Sequence, residues 1–107
     1  MVAIDVNTGK YETKNNQEET YLKINIEAAE AIAIALRARN LAGIIVIDFI
    51  NMKKKENMEY LVKIMKDFLK KDSIPSYVVD ITGLGLMEIT RQKKNQSFAE
   101  QMRDVKF

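Results

Sequence analysis

The chain has 107 residues, enough for one domain and too few for two. It contains no cysteine and no histidine, which excludes disulfides, thiolate or imidazole metal sites and catalysis by imidazole within this chain. Seventeen basic and 15 acidic residues leave a net charge of +2, too little to coat nucleic acid by charge alone. Because the chain has no membrane-length apolar run and no signal-peptide pattern, we expect a soluble, cytoplasmic protein.

The first predicted element is a short strand. Residues 2–6 (VAIDV) form an apolar run with Asp5 near its end, and the turn-prone Asn7-Thr8-Gly9 follows. The polar stretch 10–20 predicts a surface loop or a loose hairpin.

A helix is predicted next, over about 26–40. Asn25 is a good N-cap for it, and Gly43 follows it as a stop signal. Its alanine-rich body predicts close packing against a sheet.

The central part of the chain predicts a strand, a helix and a turn. Residues 44–49 (IIVIDF) form the continuous β-branched run of a strand covered on both faces. Apolar residues then recur at helical spacing, so about 54–71 predicts an amphipathic surface helix. Residues 72–75 predict a turn.

The last third of the chain predicts a third strand and a polar tail. Residues 77–82 (YVVDIT) are the strand, whereas the pattern over 86–91 fits a strand or a short helix equally well. From Gln92 the chain is polar, and we take 95–107 as a tail or frayed helix after a domain over 1–94. The alternation predicts an α/β fold, βαβαβ, with a mainly parallel sheet flanked by helices.

Two aspartates carry the clearest chemical signal. Asp5 and Asp48 each lie near the carboxyl end of a predicted strand, where ligands gather in open α/β sheets. On neighbouring strands they would be about 5 Å apart, close enough to share one Mg²⁺. Asn7, two residues beyond Asp5, could orient it. The alternative is structural, because strand-terminal aspartates often cap the next helix or accept hydrogen bonds from a loop.

Three blocks together resemble the DNase I-like subdomain of the ribonuclease E/G family. They are IDVNTGKY (4–11), NIEAAEAIAIALRARNLAGIIVIDFINM (25–52) and TGLGLMEITRQKK (82–94). The resemblance covers about nine-tenths of the chain, and its combined motifs are far more specific than an isolated pair of acids.

The resemblance implies roles for particular residues. Asp5 and Asp48 would ligate Mg²⁺ (Mn²⁺ is possible), with Asn7 in a supporting catalytic role. The sequence departs from the family pattern at Ala42, where glycine is usual, and at Asn51, where a second aspartate is usual. Since that second aspartate is not a metal ligand in the family, the expected site remains intact.

The resemblance also implies a function and missing partners. The expected activity is Mg²⁺-dependent hydrolysis of single-stranded RNA to 5′-phosphate and 3′-hydroxyl ends, in RNA and rRNA processing and decay. The family's S1 domain, 5′-end sensor and cysteine zinc link are not in this sequence. We therefore expect a fragment, poorly active alone and without zinc, of a parent that forms homo-oligomers.

Basic residues near the motifs are candidate RNA contacts. We expect Lys10 and Lys14 to steer RNA toward the metal, and Arg91, Lys93 and Lys94 to bind phosphates. A further run, 53–55, consists of three lysines. Two other readings stay open: a non-catalytic RNA-contact or assembly module of the same fold, and an aspartate-centred receiver domain. The receiver reading lacks a lysine near the end of a late strand in 77–91.

Overall fold

A computed structural model describes residues 1–6, 18–82 and 85–93. The predicted tail over 95–107 and most of the predicted loop over 10–20 lie outside these ranges. The described elements, in chain order, are β1 (Val2–Asp5), α1 (Glu18–Ala38), β2 (Gly43–Asp48), α2 (Lys55–Leu69), β3 (Ser76–Ile81) and β4 (Leu86–Arg91). Residues 86–91, which the sequence left undecided, form a strand.

The four strands form one mixed sheet in the order β1-β2-β4-β3. β1 pairs with β2 in parallel, whereas β4 is antiparallel to both β2 and β3. The predicted mainly parallel sheet is therefore wrong. The reason is the short connection between Ile81 and Leu86, which permits only a hairpin, since parallel neighbours need a crossover of a dozen or more residues.

Helix α1 begins earlier than predicted. Its first residue is Glu18, so Asn25 lies two turns inside the helix and is fully buried. The prediction that Asn25 caps the helix is wrong. The apolar pattern of the helix does not extend to its polar first turn, and contacts with the chain after β2 stabilise that turn instead.

Helix α1 ends at Ala38, close to the predicted end, and Asn40 rather than Gly43 is the residue that stops it. Asn40 adopts the left-handed conformation with φ of 49°. Its N–H donates to the Arg37 carbonyl, and the Leu41 N–H donates to the Leu36 carbonyl at 3.0 Å. This is the Schellman pattern, in which asparagine can replace glycine.

Both helices pack on one face of the sheet. Alternate residues of the strands, such as Ile45 and Ile47 on β2, point into this core, and their neighbours point away from it. Ile44 is 45% exposed, so the predicted covering of this strand on both faces is wrong for the described part of the chain. No helix in that part is both long and apolar enough to span a membrane. The buried core residues are Ala29, Ile32, Ala33, Leu36, Ile45, Ile47, Phe49, Leu61, Met65, Leu69, Met87 and Ile89.

Candidate metal site

Asp5 and Asp48 are direct neighbours across the parallel pair of strands. They are register partners at the carboxyl ends of β1 and β2, so their Cα atoms are about 4.8 Å apart. The Val6 N–H donates to the Asp48 carbonyl at 2.9 Å, which continues the ladder one residue past Asp5. The two strand ends are thus tied together where the two carboxylates lie.

Both carboxylates lie on the face of the sheet away from the helices. The buried residues of β2 are Ile45 and Ile47, and side chains alternate between faces along a strand. Asp5 is exposed and Asp48 is half-buried. A ligand can therefore reach this pair from solvent.

The donor set fits a hard cation with open coordination positions. Carboxylate oxygens are ligands that Mg²⁺ prefers, and Mg²⁺ commonly binds one or two carboxylates together with water and substrate phosphates. Two adjacent negative charges also repel each other, and a cation relieves that repulsion. Within residues 1–6, 18–82 and 85–93, no cluster of three or more acidic, histidine or cysteine side chains could enclose a metal. Asn7 lies outside the described residues.

The chain immediately after β2 is anchored to helix α1 through Asn25. The Asn25 Nδ2 donates to the Ile50 carbonyl at 2.9 Å, and the Ile50 N–H donates to the Asn25 Oδ1 at 2.9 Å. Phe49 and Ile50 are themselves buried, at 1% and 5% exposure. This pair of bonds fixes the backbone two residues beyond Asp48.

A second anchor joins α1 to the start of α2. The Glu18 carboxylate accepts backbone N–H bonds from Lys53 and Lys54 and a side-chain bond from Asn57, each at 2.9 Å. Burial raises the pKa of Glu18, but these hydrogen bonds and the Lys54 charge outweigh that effect and leave its pKa below the ordinary value of 4.5. Glu18 thereby pairs the two backbone N–H groups that lead into α2, including that of its N-cap residue Lys54.

Arg91 lies at the other end of the sheet, in a buried polar cluster. The residue is 2% exposed. Its Nε donates to Asp72 Oδ2 at 2.8 Å, and its Nη1 donates to Asn40 Oδ1 and to the Leu41 carbonyl. The hydrogen bond from Arg91 is the main reason that the pKa of Asp72 lies below its ordinary value of 3.8. A guanidinium so enclosed holds the fold together, which argues against Arg91 as an RNA contact.

The other predicted RNA contacts are placed unevenly. Lys93 is exposed, but it follows the end of β4 that pairs with Gly43, about 17 Å along the strand from the acid pair. Lys10, Lys14 and Lys94 lie outside the described residues. We call the end of the sheet that carries Asp5 and Asp48 the acid end. The lysine run 53–55 is exposed and lies at the acid end, because it follows β2 by a few residues.

The turn between β3 and β4 lies at the acid end as well. Leu86 is the register partner of Asp48. Gly85 has φ of 83°, and a Cβ there would lie 3.1 Å from the Asn51 Oδ1. Asn51, one of the two departures from the family pattern, therefore has its side-chain oxygen close to Gly85.

Sequence reasoning missed Glu18 and the true role of Asn25. The signal for Asn25 was available, since a polar residue among alanines and isoleucines lies on the apolar side of the helix once the helix is extended to residue 18. Nothing local marks Glu18, because its partners are 35 to 39 positions away in the sequence.

Comparison with known proteins agrees with the resemblance read from the motifs. The model of the ribonuclease E/G family matches residues 1–94. Ribonuclease G of Haemophilus influenzae is 44% identical over 97 residues, and ribonuclease G of Escherichia coli K12 is 39% identical over 97 residues. Each match covers 91% of this chain and 20% of the relative. Ribonuclease E of a Nostoc species is 36% identical over 105 residues, which are 98% of this chain and 15% of that protein.

The chain therefore spans one fifth or less of the length of these relatives. The family match covers both aspartates and the elements that carry them. This chain belongs to the ribonuclease E/G family.

Proposed function

We propose that this chain is the metal-binding catalytic part of an endoribonuclease that hydrolyses single-stranded RNA. The observation that carries the proposal is the register pairing of Asp5 with Asp48 at the carboxyl ends of two parallel strands. Membership of a family whose relatives are named ribonuclease G and ribonuclease E supports RNA as the substrate.

In the proposed mechanism, the carboxylates of Asp5 and Asp48 would hold Mg²⁺ or Mn²⁺. When bound, the metal would activate a water for in-line attack on a phosphodiester and stabilise the charge that develops on the phosphate. Asn7 orients Asp5 or the substrate. Since water rather than the ribose 2′-hydroxyl attacks, the products carry 5′-phosphate and 3′-hydroxyl ends.

For RNA contact we propose the lysine run 53–55, at this end of the sheet, together with Lys10 and Lys14, which follow Asp5 in the sequence. Three exposed ammonium groups at the same end of the sheet as the acid pair would attract the backbone of a strand that reaches the metal. Lys93 would contact RNA only beyond the far end of the sheet, and Lys94 stays a proposed contact on its sequence alone.

The proposal extends to the longer protein. We propose that it acts in RNA and rRNA processing and decay in the cytoplasm, and that its other parts supply most of the RNA affinity and form a homo-oligomer. A DNase I-like arrangement of the subdomain is part of the same proposal.

Magnesium titration followed by NMR tests the metal site. The amides of Asp5, Asn7 and Asp48 should shift together, while that of Asp72 at the opposite end should not. Asp5→Asn and Asp48→Asn are the matched variants, and each should remove the common shift. If the native amides do not move together, the shared metal site is wrong, and a non-catalytic module of the same fold becomes the better reading.

A further inference from the structure

The segment from Asp48 to Lys54 is held at three successive points. The Asp48 carbonyl accepts from the Val6 N–H, Ile50 is bonded through both backbone groups to Asn25, and Glu18 accepts from the N–H groups at the end of the segment. Only Phe49, itself buried, separates the first anchor from the second. The backbone of Asp48 is thus fixed from both sides.

An asparagine at the buried helix position 25 lowers the stability of the fold unless its side chain is hydrogen-bonded. A buried amide is unfavourable without hydrogen-bond partners, and apolar residues occupy the neighbouring buried positions Ala29 and Ile32. Both Asn25 amide atoms are used, and both bonds go to one residue. Because Asn25 bonds both the N–H and the carbonyl of Ile50, it fixes the position of the Ile50 backbone.

We propose that Asn25 and Glu18 are positioning residues for the metal pair: they hold the segment 48–54 so that the Asp48 carboxylate stays beside Asp5. This inference rests on the proposed function. The physical reason is that two neighbouring carboxylates repel each other, so a less constrained Asp48 would turn away when no metal is bound. Groups that orient metal ligands raise affinity because less ordering remains to be done on binding.

The first test compares Asn25→Leu with a control at the other end of the sheet. Leucine keeps a similar volume and removes both bonds to Ile50. We expect the Mg²⁺ dissociation constant, from NMR titration of the Asp5 and Asp48 amides, to rise by roughly 10-fold, the lower end of the range for groups that orient metal ligands. Asp72→Asn breaks the buried pair with Arg91 and should leave Mg²⁺ affinity unchanged in the folded protein.

A matched pair of variants at Glu18 tests the same proposal if Asn25→Leu does not fold. Glu18→Gln and Glu18→Ala remove the same charge, but glutamine keeps an oxygen that can accept an N–H bond. Because the charge change is common to both, any difference in Mg²⁺ affinity between them reports the hydrogen bonds. We expect Glu18→Ala to bind more weakly than Glu18→Gln.

A readout without metal completes the test. Amide hydrogen exchange over 49–54 should accelerate in Asn25→Leu and Glu18→Ala, while the amides of β4 should keep their native rates. If the native chain binds Mg²⁺ and the variants bind it equally well, the positioning role is overturned and the proposed function stands. If the native chain shows no binding at Asp5 and Asp48, the proposed function fails and this inference fails with it.

Discussion

The two ends of the sheet carry two polar clusters that differ in how their charges are paired. At the acid end, the Asp5 and Asp48 carboxylates have no cation bonded to them among the described residues, and the surrounding polar groups hold the backbone. At the opposite end, Asp72 and Arg91 form a buried ion pair at 2.8 Å, and the Arg91 Nη1 donates to Asn40 and Leu41. Within the described part of the chain, only the end with Asp72 and Arg91 neutralises its charge through an ion pair in the protein.

The difference separates the proposed metal site from a structural ion pair. Buried charges that are paired and hydrogen-bonded fix the fold, and removing one partner leaves an uncompensated charge. Two adjacent like charges facing solvent do the opposite, since they destabilise the protein slightly until a cation binds. Mutations at the two ends should therefore change different measurements.

The largest expected effect is on stability, at the ion-pair end. Arg91→Met should lower the free energy of unfolding by about 3–5 kcal/mol, because Asp72 is left buried without its partner. Urea unfolding measures the loss, with Lys93→Met as the exposed control. A loss no larger than that of the control would show that the ion pair does not hold the fold.

The next effect is on catalysis, at the acid end. Asp5→Asn or Asp48→Asn, assayed in a protein of the relatives' length, should lower cleavage by at least ~100-fold, about 2.7 kcal/mol of transition-state stabilisation. Unfolding of this chain should be unimpaired, since each change removes a like-charge repulsion. Asp67→Asn, on an exposed surface of α2, is the control. Near-normal turnover in either site variant would contradict the assignment.

A smaller effect concerns RNA affinity. Changing the lysines at 53–55 together to glutamine should weaken single-stranded RNA binding roughly 10-fold near physiological salt if two phosphate contacts are lost, and should flatten the salt dependence by about 0.7 per contact. The matched control changes Lys63, Lys66 and Lys70 to glutamine on α2. Equal losses in both triple variants would mean that only net charge matters.

The smallest effect is the acid dependence of stability, to which both ends contribute. The folded-state pKa values of Glu18 and Asp72 lie below their ordinary values of 4.5 and 3.8. Their stabilisation is therefore fully present above those values and is lost as pH falls through the lower folded-state pKa values. The free energy of unfolding, measured from pH 6 downward, should fall less steeply in Glu18→Gln and Asp72→Asn. An unchanged slope in both variants would contradict the assignment of these two carboxyl groups.

Much of the local structure could be read from the sequence. The strands at 2–6, 44–49 and 77–82 and the helix at 54–71 were confirmed to within two residues, because period and β-branched composition are local signals. The turn at 72–75 agrees as well. The start of α1 was wrong because its first turn is stabilised by residues far along the chain.

The direction in which the strands pair and the hydrogen bonds between distant side chains depend on the tertiary structure. The family, the identity of most elements and the two aspartates at strand ends could be read without the fold, since each depends on local pattern and motif. Only the fold decided that β4 lies between β2 and β3, that Arg91 is enclosed, and that Asn25 and Glu18 hold the chain beside Asp48. Those outcomes depend on contacts between residues 19 to 51 positions apart, which no local pattern encodes.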